Sequence, residues 1–300
     1  MFAERGLTPL SRQNYFVEAA GGTICTEPHT AASVWPMNSV LRIQPSRGHD
    51  SARAPDSASR QWQNRLLASL AAADRTRLLS HLAPVTLEYR RKLYDANRPI
   101  KFVHFIETGV GSLVATLRNG DAVEVGTIGN EGIVGLPVVF GDGQAPTSVY
   151  VQVPGAGLRM KADLFRQELE RSASMRASML RYAHAFFNQV AQSAACAHLH
   201  PLEQRCARWL LMTHDRMQSD EFPLTQEFLS MMLGVRRAGV TVAAGELQRA
   251  GLIRYSRGRV TMLDHEGLLD RSCECYGVSK REFDRLLGEA PKRSSPVLAR

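Results

Sequence analysis

The sequence predicts an α+β chain: an N-terminal β jelly-roll domain, a long helix, and a C-terminal winged helix-turn-helix. Three observations carry this reading. Short apolar runs bounded by Gly, Pro, Asn or Asp recur about every ten residues between Val85 and Ala162, the texture of a small antiparallel roll. No Pro or Gly then interrupts a helical pattern from Ala162 to His200. Finally, "LTQEFLSMMLGVRRAGVTVAAGELQRAGLI" reads as two helices pinched at Gly234, and "LIRYSRGRVTML" alternates around Ser-Arg-Gly as a hairpin does.

Each element follows in chain order. Residues 1–60 carry neither period and are rich in Pro, Gly and Ser, so a disordered extension is expected there. A domain over residues 61–172 opens with "WQNRLLASLAAADRTRLLSHL", two short helices of which Asp74 is placed to cap the second. The strand-like runs are "VTLEY", "FVHFIETG", "GSLVATL", "AVEVGTIG", "VGLPVVFG", "SVYVQVPG" and "GLRMKA".

The helix over residues 173–200 has Met175, Met179, Tyr182, Phe186, Gln189 and Ser193 at alternating steps of four and three, the spacing of a coiled-coil seam. A parallel pairing of two copies through these residues is expected, with a solitary buried helix as the alternative. Gln189 and Ser193, polar on that seam, would fix its register. Pro201 ends or kinks the helix. Residues 201–270 hold the winged helix-turn-helix, and residues 271–300 a tail that is helical at first.

Composition bounds the function. The chain has 300 residues, a formal charge of +8 and five cysteines. No apolar run approaches the roughly 18 residues of a bilayer span, and no leader pattern opens the chain, so no membrane partner and a cytoplasmic location are expected. The charge leans to the C-terminal part. Residues 176–300 hold 18 Lys/Arg against 13 Asp/Glu, and Phe228 to Leu263 holds six arginines against Glu246 alone. Such a local excess suits a phosphate-contacting surface.

In the pinched segment, Thr225 can cap the first helix over an inner face of Phe228, Leu229 and Met232. Val240, Ala244 and Leu247 form the inner stripe of the second. Arg236, Arg237, Gly239 and Thr241 then remain outward near its start, where a recognition helix meets base edges. Arg257 and Arg259, at the hairpin tip, suit phosphate contacts.

The order of parts, and above all "HPLEQRCARWLLMTHDRM…FPLTQEFLSMMLGVRRAGVTVAAGELQRAGLIRYSRGRVTMLD", resembles the Crp/Fnr family of bacterial transcription regulators over about residues 62–270. The resemblance implies a cyclic-nucleotide-binding-like jelly roll as sensor, and a homodimer on a two-fold symmetric operator. Its implied partners are double-stranded DNA, a second copy, RNA polymerase and a small-molecule effector. Thr225 and Gln226 would contact the DNA backbone, and Arg236 and Arg237 would open the recognition helix. Ala238 and Val242 stand where the cyclic-AMP receptor branch has a glutamate and a second arginine, which implies a different operator.

The sensor departs further. Gly135 and Ser148 persist, but Leu136 replaces the ribose-binding acid and Thr147 the phosphate-binding arginine, so cyclic AMP and cyclic GMP are not expected to bind. Gly132, in "GNEGIVGLP", completes the candidate pocket. Only Cys25 precedes the long helix, too few for the redox branch's cluster. His81, His104 and His184 read as packed or surface histidines, and no cofactor is expected. No metal site is expected either. Cys196, His198 and His200 do not share one helix face, and Cys273 and Cys275 have one residue between them, not the two of a zinc knuckle. A jelly-roll metal enzyme would need a His/Glu ligand set on facing strands, and the strand region offers a single histidine, His104. The remaining alternative is a ligand- or protein-binding module without DNA binding.

Overall fold

The computed structural model describes residues 62–217 and 219–288; the extension expected over residues 1–60, with Cys25, lies outside the described residues. Two short helices open it, α1 (Arg65–Ala68) and α2 (Ala72–Leu79). Asn64 caps α1, accepting from the Leu67 N–H at 2.9 Å, while its amide donates to Ile106 O and Gly132 O at 2.8 Å each. Asp74 does not cap α2, whose N-cap is Ala71. It is buried in the first turn, where it accepts from Ser174 at 2.8 Å and pairs with Arg77.

Six strands follow: β1 (Ala83–Leu87), β2 (Lys92–Tyr94), β3 (Phe102–Thr116), β4 (Ala122–Ile128), β5 (Ile133–Val134) and β6 (Ser148–Lys161). They form one antiparallel sheet in the order β1-β6-β3-β4, with β2 also on β6 and β5 on β3. Two strands that the sequence splits in half are continuous. Gly109 and Gly155 lie within β3 and β6 because the two backbones nearly touch there. A Cβ on Gly109 would stand 2.6 Å from Val153 O, and one on Gly155 would stand 2.1 Å from Thr108 O. Register shifts between Ile106 and Gly111 bend the pair at the same place. The run "VGLPVVFG" is also no strand beyond Val134. It turns at Gly135 (φ 108°) into a short helix, α3 (Leu136–Val139), with Pro137 in its first turn.

The uninterrupted pattern from Ala162 contains a break. α4 (Ala162–Arg171) stops at Ser172, whose extended backbone and hydroxyl, accepting from the Met175 N–H at 3.1 Å, start α5 (Ala173–Leu199) afresh. α5 lies against the sheet, and this overturns the expected seam. Met175, Met179, Tyr182 and Phe186 are buried in the chain's own core with Phe105, Ile133 and Phe165. Gln189 donates to Thr127 O at 2.9 Å, and Ser193, half-buried, accepts from Arg208 at 3.0 Å. Five of these six residues are buried inside one chain and Ser193 is half-buried there, so they do not form the exposed face of α5. Their spacing repeats because any helix packed on a sheet repeats its inner face every three or four residues.

Then come α6 (Leu202–Asp215), β7 (Glu221–Pro223), α7 (Gln226–Leu233), α8 (Arg237–Arg249), β8 (Ile253–Ser256), β9 (Arg259–Met262), α9 (His265–Arg271) and α10 (Cys275–Leu287). The small sheet runs β7-β9-β8. Phe222, Leu229, Val240, Leu247 and Val260 form a second core under the helices. The described part of the tail is helical and packed: α10 returns along α5, buries Phe283 beside Tyr182 at 6.4 Å, and ties Asp284 to Arg65 at 2.9 Å. Among the described residues no helix is long and apolar enough to cross a membrane.

Candidate nucleic-acid interface and sensor pocket

Thr225 caps α7 as its sequence position implies, its Oγ1 accepting from the Phe228 N–H at 3.1 Å. α7 ends at Gly234, in the left-handed region at φ 63° and ψ 40°. The Val235 N–H bonds back to Ser230 O at 3.0 Å, closing the helix so that α8 can leave at an angle. Val240, Ala243, Ala244 and Leu247 bury the inner face of α8, while Arg237, Ala238, Thr241 and Val242 remain exposed on the outer one. Thr241 donates to Gln226 Oε1 at 3.1 Å, which joins the starts of the two helices.

The hairpin tip completes the surface. Arg257 (φ 49°) and Gly258 (φ 73°) are both left-handed, as a two-residue turn between twisted strands requires. Thr225, Gln226, Arg237, Arg257 and Gly258 thereby converge on one cleft of about 480 Å³. Arg236 stands exposed at the N-cap of α8. Two expected contributors lie outside the lining of this cleft. Gly239 is turned inward, since a Cβ there would lie 3.0 Å from the Leu202 side chain, and its role is to let α8 approach α6. Arg259 is engaged by Glu221 on the neighbouring strand. Tyr255 and Ser256 also line the cleft. Their strand alternation alone gave no sign of that, because it does not say which face a hairpin turns to its neighbour.

The candidate pocket in the sheet domain differs from its expected set as well. An apolar cavity of about 120 Å³ lies between sheet and α5, and Gly135, Leu136 and Thr147 line it with Tyr94, Phe140 and Phe186. None of its lining residues is charged. Gly132 is not open to it: the Tyr182 ring lies over its backbone, where a Cβ would come within 2.3 Å. Ser148 is occupied in accepting from the Ala96 N–H at 2.9 Å. His104 is buried on β3, and burial, with Arg159 and Arg91 nearby, holds its pKa down to about 4, so it is a packed neutral histidine.

Polar groups join the sheet to the C-terminal helices. Arg216 at the end of α6 donates to Glu131 Oε1 from Nε at 2.9 Å and from Nη2 at 2.8 Å, and also to Gln189 Oε1 at 3.1 Å. Glu124 on β4 accepts from the Trp209 indole at 3.0 Å and from Ser112. Enclosure of that carboxyl pushes its pKa up to about 7, against the pull of those two hydrogen bonds. The folded protein therefore holds this proton more tightly than the unfolded chain. The resulting stability is complete below about pH 4.5 and is lost as pH rises through about 7. Glu124→Gln, which cannot ionise, is expected to flatten that part of the pH dependence in urea unfolding series. An unchanged slope would remove Glu124 from the account.

The structure also unites residues that the sequence kept apart. The end of α5 and the turn between α9 and α10 bring the ligand atoms of Cys196, His200, Cys273 and Cys275 within 4.8 Å of one another, while His198 is exposed elsewhere. Spacing within each pair could not reveal a set assembled by the return of α10.

Residues 204–271 match the Crp-like helix-turn-helix domain family. No curated protein matches the chain. Among solved structures, the fold is similar to that of a protein described as a transcriptional regulator of the Crp/Fnr family from Eubacterium rectale, at 17% identity and a TM-score of 0.55 over 69% of this chain and 96% of that one. FixK2 from Bradyrhizobium japonicum is similar at 12% identity and a TM-score of 0.56, covering 64% of this chain and 98% of its own. A CRP-family transcriptional regulator from Thermus thermophilus matches at 17% identity and a TM-score of 0.51, over 70% of this chain and 100% of that one.

Proposed function

We infer that this chain, a DNA-binding regulator with the Crp/Fnr fold and a Crp-like helix-turn-helix domain over residues 204–271, acts as a homodimer on a palindromic operator. The observation that carries the reading is the cleft where Thr225, Gln226, Arg237 and Arg257 converge between recognition helix and wing. Backbone phosphate fits the cleft, and Arg236 and Arg237 at the start of α8 fit guanine edges in the major groove. Exposed Val242, further along the same face, suits a thymine methyl where an arginine would suit guanine.

The second copy fits the outer face of α5. Ala177, Leu180, His184, Phe187, Ala191 and Ala194 are exposed and step by three and four, a seam two residues out of phase with the buried one. Leu180 and Phe187 are 47% and 68% exposed, an apolar cost that a partner helix removes. The effector reading follows from the cavity. At about 120 Å³ and without a charged lining residue, it suits a small apolar ligand. It is well below the roughly 300–1,000 Å³ usual for ligand pockets, and it offers a cyclic phosphate no cation.

The direct test replaces Arg236 and Arg237 by alanine and measures affinity, by fluorescence anisotropy, for a fragment selected from random DNA. Losing two bidentate contacts at about 1–3 kcal/mol each lowers affinity roughly 30-fold at the least. Unchanged affinity in the folded variant would show that α8 does not read the operator.

A further inference from the structure

Cys196, Cys273 and Cys275 are 1%, 4% and 0% exposed, and they form a buried cluster of their own, separate from both hydrophobic cores. Cys196 and His200 are one turn apart at the end of α5, and Cys273 and Cys275 flank Glu274 at the start of α10. The Sγ atoms of Cys196 and Cys273 stand 3.5 Å apart, and Cys275 Sγ lies 3.5 Å from His200 Nδ1. A sulfur pair at that distance is not a disulfide. It is close to the edge of a tetrahedron around one metal ion, about 3.8 Å between sulfurs and about 3.5 Å between sulfur and nitrogen for bonds of 2.3 and 2.0–2.1 Å.

We propose that Cys196, His200, Cys273 and Cys275 form a structural zinc site, with three thiolates and His200 Nδ1 as ligands. The surroundings favour this occupant. Glu274 lies 3.3 Å from the other ring nitrogen of His200, the carboxylate partner that orients a ligating imidazole. Gln192 donates to Cys275 Sγ at 3.0 Å, a hydrogen bond that supports a thiolate. Three thiolates and a neutral imidazole around Zn²⁺ leave one net negative charge. Arg208, 8% exposed and with a buried Nε that lacks a hydrogen-bond partner, is near enough for its charge to act on Cys196.

Binding releases three thiol protons to solvent and involves no oxidation. Four protein ligands leave no open position, so the ion has a structural role and not a catalytic one. It clamps α10 to the end of α5, next to the Pro201 junction from which the DNA-reading helices depart. Cys273 and Cys275 lie beyond the matched helix-turn-helix domain, and the proposal does not depend on the DNA reading.

The experiment is metal analysis of the full chain, free of any affinity tag and isolated under reducing conditions. About one zinc per chain is expected. Cys196→Ser and Cys273→Ser should lose the ion, whereas His200→Cys should keep it, because four thiolates also bind zinc. Cobalt exchanged into the wild-type chain should show thiolate charge-transfer and tetrahedral bands, a readout that survives even if the variants fold poorly. Reduced wild-type chain that stays metal-free after dialysis against zinc overturns the proposal. A reduced chain that takes up no zinc but forms a Cys196–Cys273 disulfide on mild oxidation also overturns it and identifies a redox pair instead. Metal content is read without DNA, so its failure and a failure of operator binding are distinguishable.

Discussion

Arg216→Met is expected to cost about 3–5 kcal/mol of folding free energy, measured by urea unfolding, because it strands the Glu131 carboxylate in the interior. Arg216 and Glu131 are 8% and 4% exposed, so water cannot replace the lost partner. The guanidinium also donates to Met212 O at 2.6 Å and to Gln189, and those acceptors lose their donor in the same step. The double variant Arg216→Met/Glu131→Leu should recover most of the loss, since an apolar pair of similar volume removes the unpaired charge. A single variant within about 1 kcal/mol of wild type would mean that the ion pair is not formed in solution. The pair joins the β5 side of the sheet to the end of α6, so its loss should also loosen the sheet from the C-terminal helices.

Leu180→Asp together with Phe187→Asp should convert the protein to a monomer by light scattering while leaving the fold intact. Both side chains are exposed in the single chain, so the substitutions bury no charge unless a second copy covers them. Operator affinity should then fall by about 10²-fold or more, because two half-sites are no longer bound through one linked pair of domains. Met179→Asp is the contrasting variant. Its site is 0% exposed within one chain, so the charge should unfold the protein and not merely separate the dimer. A dimer that survives the Leu180 and Phe187 changes would refute the outer seam.

Much of the architecture was legible in the sequence for a local reason. Helix caps, turn glycines and hairpin residues act over a few positions, so Thr225, Gly234 and the Arg257–Gly258 turn declare themselves. Glycine misled where its reason was not local. Gly109 and Gly155 look like turns, yet they lie inside strands because a backbone from a distant part of the chain passes within contact of each. The break at Ser172 leaves no such mark, because a helix restarted by a serine cap needs no Pro or Gly.

The candidate sites divide in the same way. The positions of Arg236, Arg237 and Thr225 at the helix starts are readable because a helix-turn-helix places them by its own short geometry. The α5 seam was not, because two faces of that helix carry the same period. Periodicity reports that a face is buried, not what buries it, and only the packed sheet showed that the Met179–Tyr182 face was already taken. Gln189 illustrates this well: a polar residue that would fix coiled-coil register instead bonds Thr127 O and Arg216 within one chain.

By itself, then, the sequence determined the order of the elements, the exposed basic turn between two helices and the lack of a charged residue at Leu136 and Thr147, all set by residue type and short spacing. Only the tertiary structure decided which face of α5 is free, that Gly239 and Arg259 serve packing and an ion pair, and that four residues from two distant segments meet as one ligand set. The physical reason is range. Propensity, capping and charge act along a few residues, whereas burial, partner choice and ligand convergence depend on what the chain brings back to the same place.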